Sequence, residues 1–375
     1  MTIRLEVAQS LADVDPLQWN ALAGGNPFLR HELLHALHET GCACAESGWT
    51  PQFLIVRDGA ALAGAMPLYL KSHSYGEYVF DWAWADAYQR HGLRYYPKLL
   101  AAIPFSPVSA PKMLARDAQV RELLASTALE LAEQVSSLHV LFPTEAELAL
   151  LEAKGMMIRR GMQFHWLNEG YATFDEFLQR FSHDKRKKIK QERRKVREAG
   201  IQLRRLTGNE IGPSDWAFFN RCYRHTYRAH HSTPYLSLAF FETLGARLPE
   251  HVMLVIAERD GKPIASALNV YTPSVLYGRY WGTLEYHPAL HFETCYYQAL
   301  EFCIERGIGA FEGGAQGEHK LARGFMPVET RSAHWLKRPE FADAIERFLA
   351  KEATGIGHYI DELREHAPYK AQVES

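Results

Sequence analysis

Apolar and polar positions follow the same order in two separate stretches of the chain. An apolar run from Phe53 to Val56 leads into RDGAALAGAMPLY at 57–69, and another from Val252 to Ala257 leads into RDGKPIASALNVY at 259–271. An apolar run, an Asp-Gly pair and a second apolar run predict a β-hairpin, because glycine takes the positive φ that a tight turn demands. Asp58 and Asp260 set the offset between the copies at 202 residues. Other pairs keep nearly that spacing. Pro27, Phe28 and Leu29 match Pro234, Tyr235 and Leu236, each ahead of a helix-like stretch (Leu33, Leu34, Leu37; Phe240, Phe241, Leu244). Trp82 matches Trp281, each in an expected aromatic strand, and Tyr95, Tyr96 and Leu99 match Tyr296, Tyr297 and Leu300. An ordered recurrence of this kind predicts a duplicated unit. Each copy reads helix, hairpin, aromatic strand, loop, helix, strand. The expected fold class is therefore α/β (α+β), two halves that each hold a mixed, mostly antiparallel sheet flanked by helices. The boundaries read as 1–166, 167–340 and a helical tail at 341–375, with Phe341, Ile345, Phe348 and Leu349 on one face.

The second half carries an insertion, KRKKIKQERRKVR at 185–197, expected as a basic helix over 183–198. Phe181, Ile189 and Val196 share one narrow apolar face, and the other faces are almost entirely cationic. Like charges at helical spacing repel, so an anionic neighbour is expected near it. The whole chain has no such bias: 375 residues carry a net charge of -2, so any anionic partner must be met by this local patch. Hydrophobic residues make up 47% and charged residues 23%, enough apolar content for a sizeable core and against general disorder. The five cysteines are scattered, and C-x-C at Cys42 and Cys44 is not a zinc or redox spacing. No apolar stretch reaches the roughly 18 residues of a membrane span, and the first residues lack a signal core, so a cytoplasmic protein is expected.

Chemistry concentrates in one segment. EGGAQGEHKLARGF at 312–325 sets Glu312, Gln316, Glu318, His319, Lys320 and Arg323 among four glycines, directly after a helix and a short apolar strand. Glycines let a backbone approach a ligand, and the ends of strands are where α/β folds place their sites. The segment is not a Walker loop, because the Lys-Ser/Thr pair is missing. His287, His291 and Glu293 could suggest a metal, but Pro288 interrupts the helical spacing, and no metal is expected. Two aromatic stretches add charges: Asp81, Asp86 and Tyr88 in the first half, and Arg279 with Tyr280 and Trp281 in the second. Charges among aromatics suggest strand faces that open on a cleft.

Taken in order, FDWAWADAY (80–88), YYPKLL (95–100), PFSPV (104–108), YGRYWG (277–282), LHFETCYYQ (290–298) and the 312–325 segment resemble the FemAB-like family of peptidoglycan biosynthesis or recognition proteins and predicted N-acyltransferases. The resemblance runs from about Trp19 to Leu349. It implies two tandem GNAT-like (acyl-CoA N-acyltransferase) halves. The basic helix and the stretch from Lys320 to Phe325 are also similar to Fem-type peptidyltransferases, which move an aminoacyl group from tRNA onto a peptidoglycan precursor; Lys320 matches their lysine before a Gly/Phe pair. The loop from Glu285 to Glu293 lacks the glycines with which GNAT enzymes hold the CoA pyrophosphate, and no helical arm of the kind some Fem-type enzymes carry is seen. The donor is therefore open between acyl-CoA as co-substrate and aminoacyl-tRNA.

These residues assemble into an expectation of acyl transfer to an amine of a small molecule or cell-wall precursor. Glu312 or Glu318 is expected as base, with His319 as the competing candidate. Lys320 is expected to neutralise an oxyanion or a donor phosphate. Asp81, Asp86, Tyr88, Arg279, Tyr280, Trp281, Gln316, Glu318 and Arg323 are expected to contact substrate, and Lys185, Arg186, Lys188 and Arg193 to contact phosphates, with tRNA a possible partner. The alternative is a non-catalytic protein that binds peptidoglycan or a nucleotide-linked precursor.

Overall fold

The computed structural model describes residues 3–314 and 317–370. Two compact units result, each built from two stretches of chain: residues up to Gly161 with Thr330–Gly357, and Met162–Glu329 with residues from His358 onward. The chain changes unit within two long strands, Met157–Leu167 and Met326–Leu336, and within the terminal helix Pro339–Glu365.

Both expected hairpins are present. Phe53–Asp58 pairs antiparallel with Ala61–Met66, and Val252–Arg259 pairs antiparallel with Lys262–Tyr271. Each has a bulge at the equivalent place, between Val56 and Arg57 and between Ala257 and Glu258. Both turns have two residues, but they sit one position apart in the aligned sequences. Asp58 faces Ala61 across a turn that starts with Gly59 at φ 62°, whereas Arg259 faces Lys262 across Asp260 at φ 52° and Gly261 at φ 71°. Two consecutive positive φ values define the second as type I′, which aspartate tolerates and glycine favours.

Two other matches are not structural equivalents. The segment around Trp82 is a helix, Trp82–Arg90, not a strand. Trp82 and Trp84 suggest a period of two, but the buried positions are Trp84 and Tyr88, four residues apart on one helical face. Tyr95 and Tyr96 precede the strand Lys98–Ala101, whereas Tyr296 and Tyr297 lie in a helical turn, so Leu99 is in a strand and Leu300 in a helix.

In the first unit, Ile3–Ala8, Phe53–Asp58, Ala61–Met66 and Leu114–Ala115 form an antiparallel sheet. The helix Ala118–Ala132 lays Val120, Leu124, Ala125 and Ala128 on its apolar face, in one core with Leu54, Val56 and Ala63. Further pairing joins Ser137–Leu141 to Lys98–Ala101 in parallel, and Lys98–Ala101 to Leu68–Lys71 antiparallel.

The second unit orders its strands as Ile201–Thr207, Val252–Arg259, Lys262–Tyr271, Val275–Thr283, Ala310–Glu312 and the end of Met157–Leu167. Every pairing is antiparallel except that of Val275–Thr283 with Ala310–Glu312. A parallel pair needs a crossover, and the helical stretch 290–306 supplies it. The helix Pro213–Ala229 packs so closely on Val275–Thr283 that a Cβ at Gly282 would stand 2.1 Å from the Cys222 carbonyl oxygen. Backbone cannot yield as a side chain can. Gly282→Ala is therefore expected to cost about 2 kcal/mol or more in a urea titration, by overpacking.

Candidate active site

The parallel ladder in the second unit is short. Val275, Leu276 and Tyr277 pair with Ala310, Phe311 and Glu312, and there the pairing ends. Val275–Thr283 runs on, with a bulge at Arg279, where the register across from Leu268 and Asn269 steps from Tyr280 to Gly278. Bulges of this kind re-aim a side chain. A cavity of about 120 Å³ opens where the ladder stops, lined by Gly278, Arg279, Tyr280, Trp281, Phe311 and Gly313. His291, Cys295 and Tyr296 complete it from the crossover. Cys295 and Tyr296 are presented by a widened π-helical turn, Glu293–Tyr297, a feature frequent at functional sites, and His291 by the helical turn just before it.

Three of the residues expected at a cleft, Arg279, Tyr280 and Trp281, thus line one. Trp281 lies against His291 with ring centroids 4.6 Å apart, and the Arg279 guanidinium lies 5.3 Å from the Tyr280 ring. Glu312 and Lys320 are not among its lining residues, but each interacts electrostatically with one that is, Glu312 with Arg279 and Lys320 with Cys295. Burial raises the Glu312 carboxyl to about 7, offset in part by the Arg279 charge. Lys320 is 4% exposed, and burial lowers its ammonium to about 8, with Cys295 the neighbour that partly restores it. Its Nζ donates to the Gly314 carbonyl at 3.3 Å. Burial alone explains both main shifts, because a low dielectric disfavours whichever form is charged.

Glycine conformation shapes the segment between them. Gly313 donates to the Phe164 carbonyl at 2.9 Å and Phe164 to that of Gly314 at 3.1 Å, which continues the pairing beyond Glu312. Gly317 at φ 101° and Gly324 at φ 89° bracket the 3-10 turn Glu318–Arg323. Gln316 lies outside the described residues. His319 is exposed, within 3.1 Å of the Tyr296 hydroxyl, and its pKa is lowered by burial and by Arg323 and Lys320. Glu318 is exposed and accepts from the Tyr359 hydroxyl at 2.5 Å. Arg323 is 3% exposed and bonded to Glu192, so its guanidinium is engaged within the protein.

Two residues beside Lys320 were missed in the sequence. His165 stands opposite Glu312 in the antiparallel register and is lowered to about 4 by burial and the Lys320 charge. Buried Gln163 meets it, Oε1 to Nε2, at 3.1 Å. Their signal was available: polar residues at 163 and 165 alternate with Phe164 and Trp166 in an otherwise apolar strand end. In the sequence, Cys295 and Tyr296 stand out only through the repeat, the scattered cysteines and the 290–298 motif, none of which assigns them to the site.

The expected first-half residues belong to the other unit and have partners of their own. Asp81 is 2% exposed and takes a short hydrogen bond from Lys98 at 2.5 Å; Lys98 also reaches Glu77 at 2.8 Å. Asp86 pairs with Arg90 on the surface. Tyr88 is buried beside Phe341 and borders a separate groove with Arg94 and Arg338.

The basic helix forms as expected, His183–Glu198. His183, Arg186, Lys187, Lys190, Arg194 and Arg197 line one groove of about 450 Å³. Of the expected phosphate contacts only Arg186 is on it. Lys185 and Lys188 are exposed elsewhere, and Arg193 is held by Glu293 at 3.0 Å and Glu301 at 2.6 Å. The 284–293 loop offers no such cations: His287 sits 3.3 Å from Glu285, and buried Glu293 is the acid that holds Arg193. Among the described residues no group of His, Cys, Asp or Glu is arranged to hold a metal, and no helix is long and apolar enough to cross a membrane.

A family model described as FemAB-like, peptidoglycan biosynthesis/recognition, matches residues 10–371. No curated protein matches by sequence. Among solved structures, the crystal structure of FemX is 12% identical and aligns over 92% of this chain and 100% of its own, with a TM-score of 0.56. L-PGS from Bacillus licheniformis is 11% identical over 89% of this chain and 97% of its own, with a TM-score of 0.54. The C-terminal domain of a putative lysylphosphatidylglycerol synthetase from Agrobacterium fabrum is 10% identical over 90% and 95%, with a TM-score of 0.53. At such identities the likeness is one of fold.

Proposed function

The chain belongs to the FemAB-like family, and from that premise we propose that it transfers an acyl or aminoacyl group to an amine of a cell-wall precursor, in the cytoplasm, at the second-unit cleft. One observation carries the reading. A carboxyl raised to about 7 interacts with Arg279, and an ammonium lowered to about 8 interacts with Cys295, and both of those neighbours line one cavity. Such opposed shifts poise a base and a cation near neutral pH.

The substrate ammonium first loses a proton to solvent. Its nitrogen then attacks the donor carbonyl carbon, and the carbonyl π pair moves to oxygen, where the Lys320 ammonium meets the oxyanion. Glu312 takes the second N–H proton, directly or through water. As the oxyanion pair returns, the bond to the leaving oxygen or sulfur breaks, and that atom receives the proton from Glu312. Amide and free alcohol or thiol result. Arg279 holds an anionic group of a substrate.

Donor phosphates belong on the groove of the basic helix rather than on the 284–293 loop, since the cations are there. From Arg186 to Arg197 the cations extend over roughly 16 Å at 1.5 Å per residue, longer than a pyrophosphate. This favours aminoacyl-tRNA over acyl-CoA. The variant Lys190→Ala/Arg194→Ala is expected to raise the donor KM, flatten its salt dependence by about two phosphate contacts and leave kcat unchanged. The decisive assay offers charged tRNA or acyl-CoA, radiolabelled in the acyl group, with amines ranging from free amino acids to a muropeptide precursor. Labelled amide that depends on Lys320 supports the transferase. Retained precursor binding with no amide from either donor replaces it with the binding protein.

A further inference from the structure

The basic helix has an inner face as informative as its outer one. Beside Ile189 and Val196 on that face lies an acid, Glu192, which is 9% exposed. Arg323 Nη2 donates to both its oxygens, at 2.9 and 2.8 Å, and the Tyr297 hydroxyl donates to Oε2. The same guanidinium donates through Nη1 to the His319 carbonyl at 2.6 Å and lies 3.3 Å from the centre of the Phe292 ring. The next residue, Arg193, pairs with Glu293 and Glu301. Two adjacent residues of opposite charge therefore anchor the helix to both elements of the site, Glu192 to the turn that carries Lys320 and Arg193 to the helical segment that carries Cys295 and Tyr296.

We propose that Glu192 is a positioning residue: through Arg323 it fixes the 318–323 turn, and so Lys320, beside the cleft residue Cys295. The inference rests on the reading of Lys320 as the group that meets the oxyanion. It also assigns Arg323 to holding the turn rather than to touching substrate.

Three physical points favour it over a general stabilising role. A buried ion pair is a poor stability device, because desolvation of both charges offsets their attraction, and apolar pairs of similar volume often replace it without loss. The turn it holds is a 3-10 turn, intrinsically weak, whose ends are glycines with left-handed φ. An arginine gripping a carboxylate through one nitrogen and a carbonyl through another restricts direction as well as distance. The groups that face Lys320 from neighbouring elements are His165, His291 and Cys295, none of which holds the turn, and His319 belongs to the turn itself.

The test removes both charges together, Glu192→Leu with Arg323→Met, so that no buried ion is stranded, and compares it with the conservative Glu192→Asp. Thermal denaturation checks folding. In the folded double variant, kcat is expected to fall on the order of 10- to 100-fold, as for a reacting group displaced by about an ångström, with KM for both substrates within about twofold. Glu192→Asp is expected to recover part of the loss. A second readout needs no turnover. Trace labelling of lysines with acetic anhydride, read by mass spectrometry across pH, reports the Lys320 environment, and its half-labelling pH is expected to rise from about 8 toward the ordinary lysine value. Unchanged kcat with unchanged labelling overturns the proposal, as does a raised substrate KM at unchanged kcat, which returns Arg323 to the substrate. A wild-type protein without transfer activity, whose Lys320 labelling still shifts in the double variant, sinks the proposed transfer but upholds the link from Glu192 to Lys320.

Discussion

Lys320→Ala is expected to lower kcat/KM on the order of 10²- to 10³-fold, the loss seen when one donor to a developing oxyanion is removed. The effect should fall mainly on kcat, because the charge it meets exists only in the transition state. Folding should survive. A buried ammonium lowered to about 8 is already disfavoured by its surroundings, and its hydrogen bond to the Gly314 carbonyl is long, at 3.3 Å. The sign of the linkage can be measured. Between about 8 and the unfolded lysine value, the unfolded chain binds more protons than the native one. This residue therefore makes stability rise with pH over that window, and Lys320→Met should abolish that rise in urea titrations at a series of pH values. A variant with full activity would remove the lysine from the mechanism.

Glu312→Gln is expected to cost 10²- to 10⁴-fold in kcat, the range for a general base, and to reshape the pH profile. Below about 7 the Glu312 carboxyl holds its proton and cannot accept another; above about 8 Lys320 loses its charge. The wild-type profile of kcat, measured at saturating amine so that the substrate is already bound in its neutral form, should therefore be a narrow bell with its top between those values. The substitution should erase the rising limb and leave the falling one in place. For stability the sign is opposite to that of a salt-bridged carboxylate. The native state binds more protons than the unfolded chain from about 4.5 to about 7, so stability falls with rising pH there. Glu312→Gln should be the more stable protein above that window. A rising limb that persists in the variant would transfer the role of base to His319 or Glu318.

Much of this was legible because it depends on neighbours in sequence. Hairpins follow from apolar runs around Asp-Gly, and the basic helix from Ile189 and Val196 at helical spacing. The 312–325 segment stood out by its glycines. The aromatic stretch after Phe80 forms a helix where alternation predicts a strand, because Trp82 and Trp84 mimic a period of two and only packing makes Trp84 and Tyr88 the inward pair. Glu192 was readable in principle as a single acid on the apolar face of a cationic helix.

What the sequence by itself determined is the duplicated hairpin unit, the cationic helix and the presence of carboxylates and a lysine in one glycine-rich segment, since each rests on periodicity or composition over a few residues. Tertiary structure alone decided which cations are available. Arg193 and Arg323 look like outward charges, but their carboxylate partners come from about 100 and 131 residues away in the chain, and no local pattern encodes that distance. It also decided where the cleft opens, because a parallel ladder that stops after three residue pairs is a property of two strands meeting across a crossover, not of either strand alone.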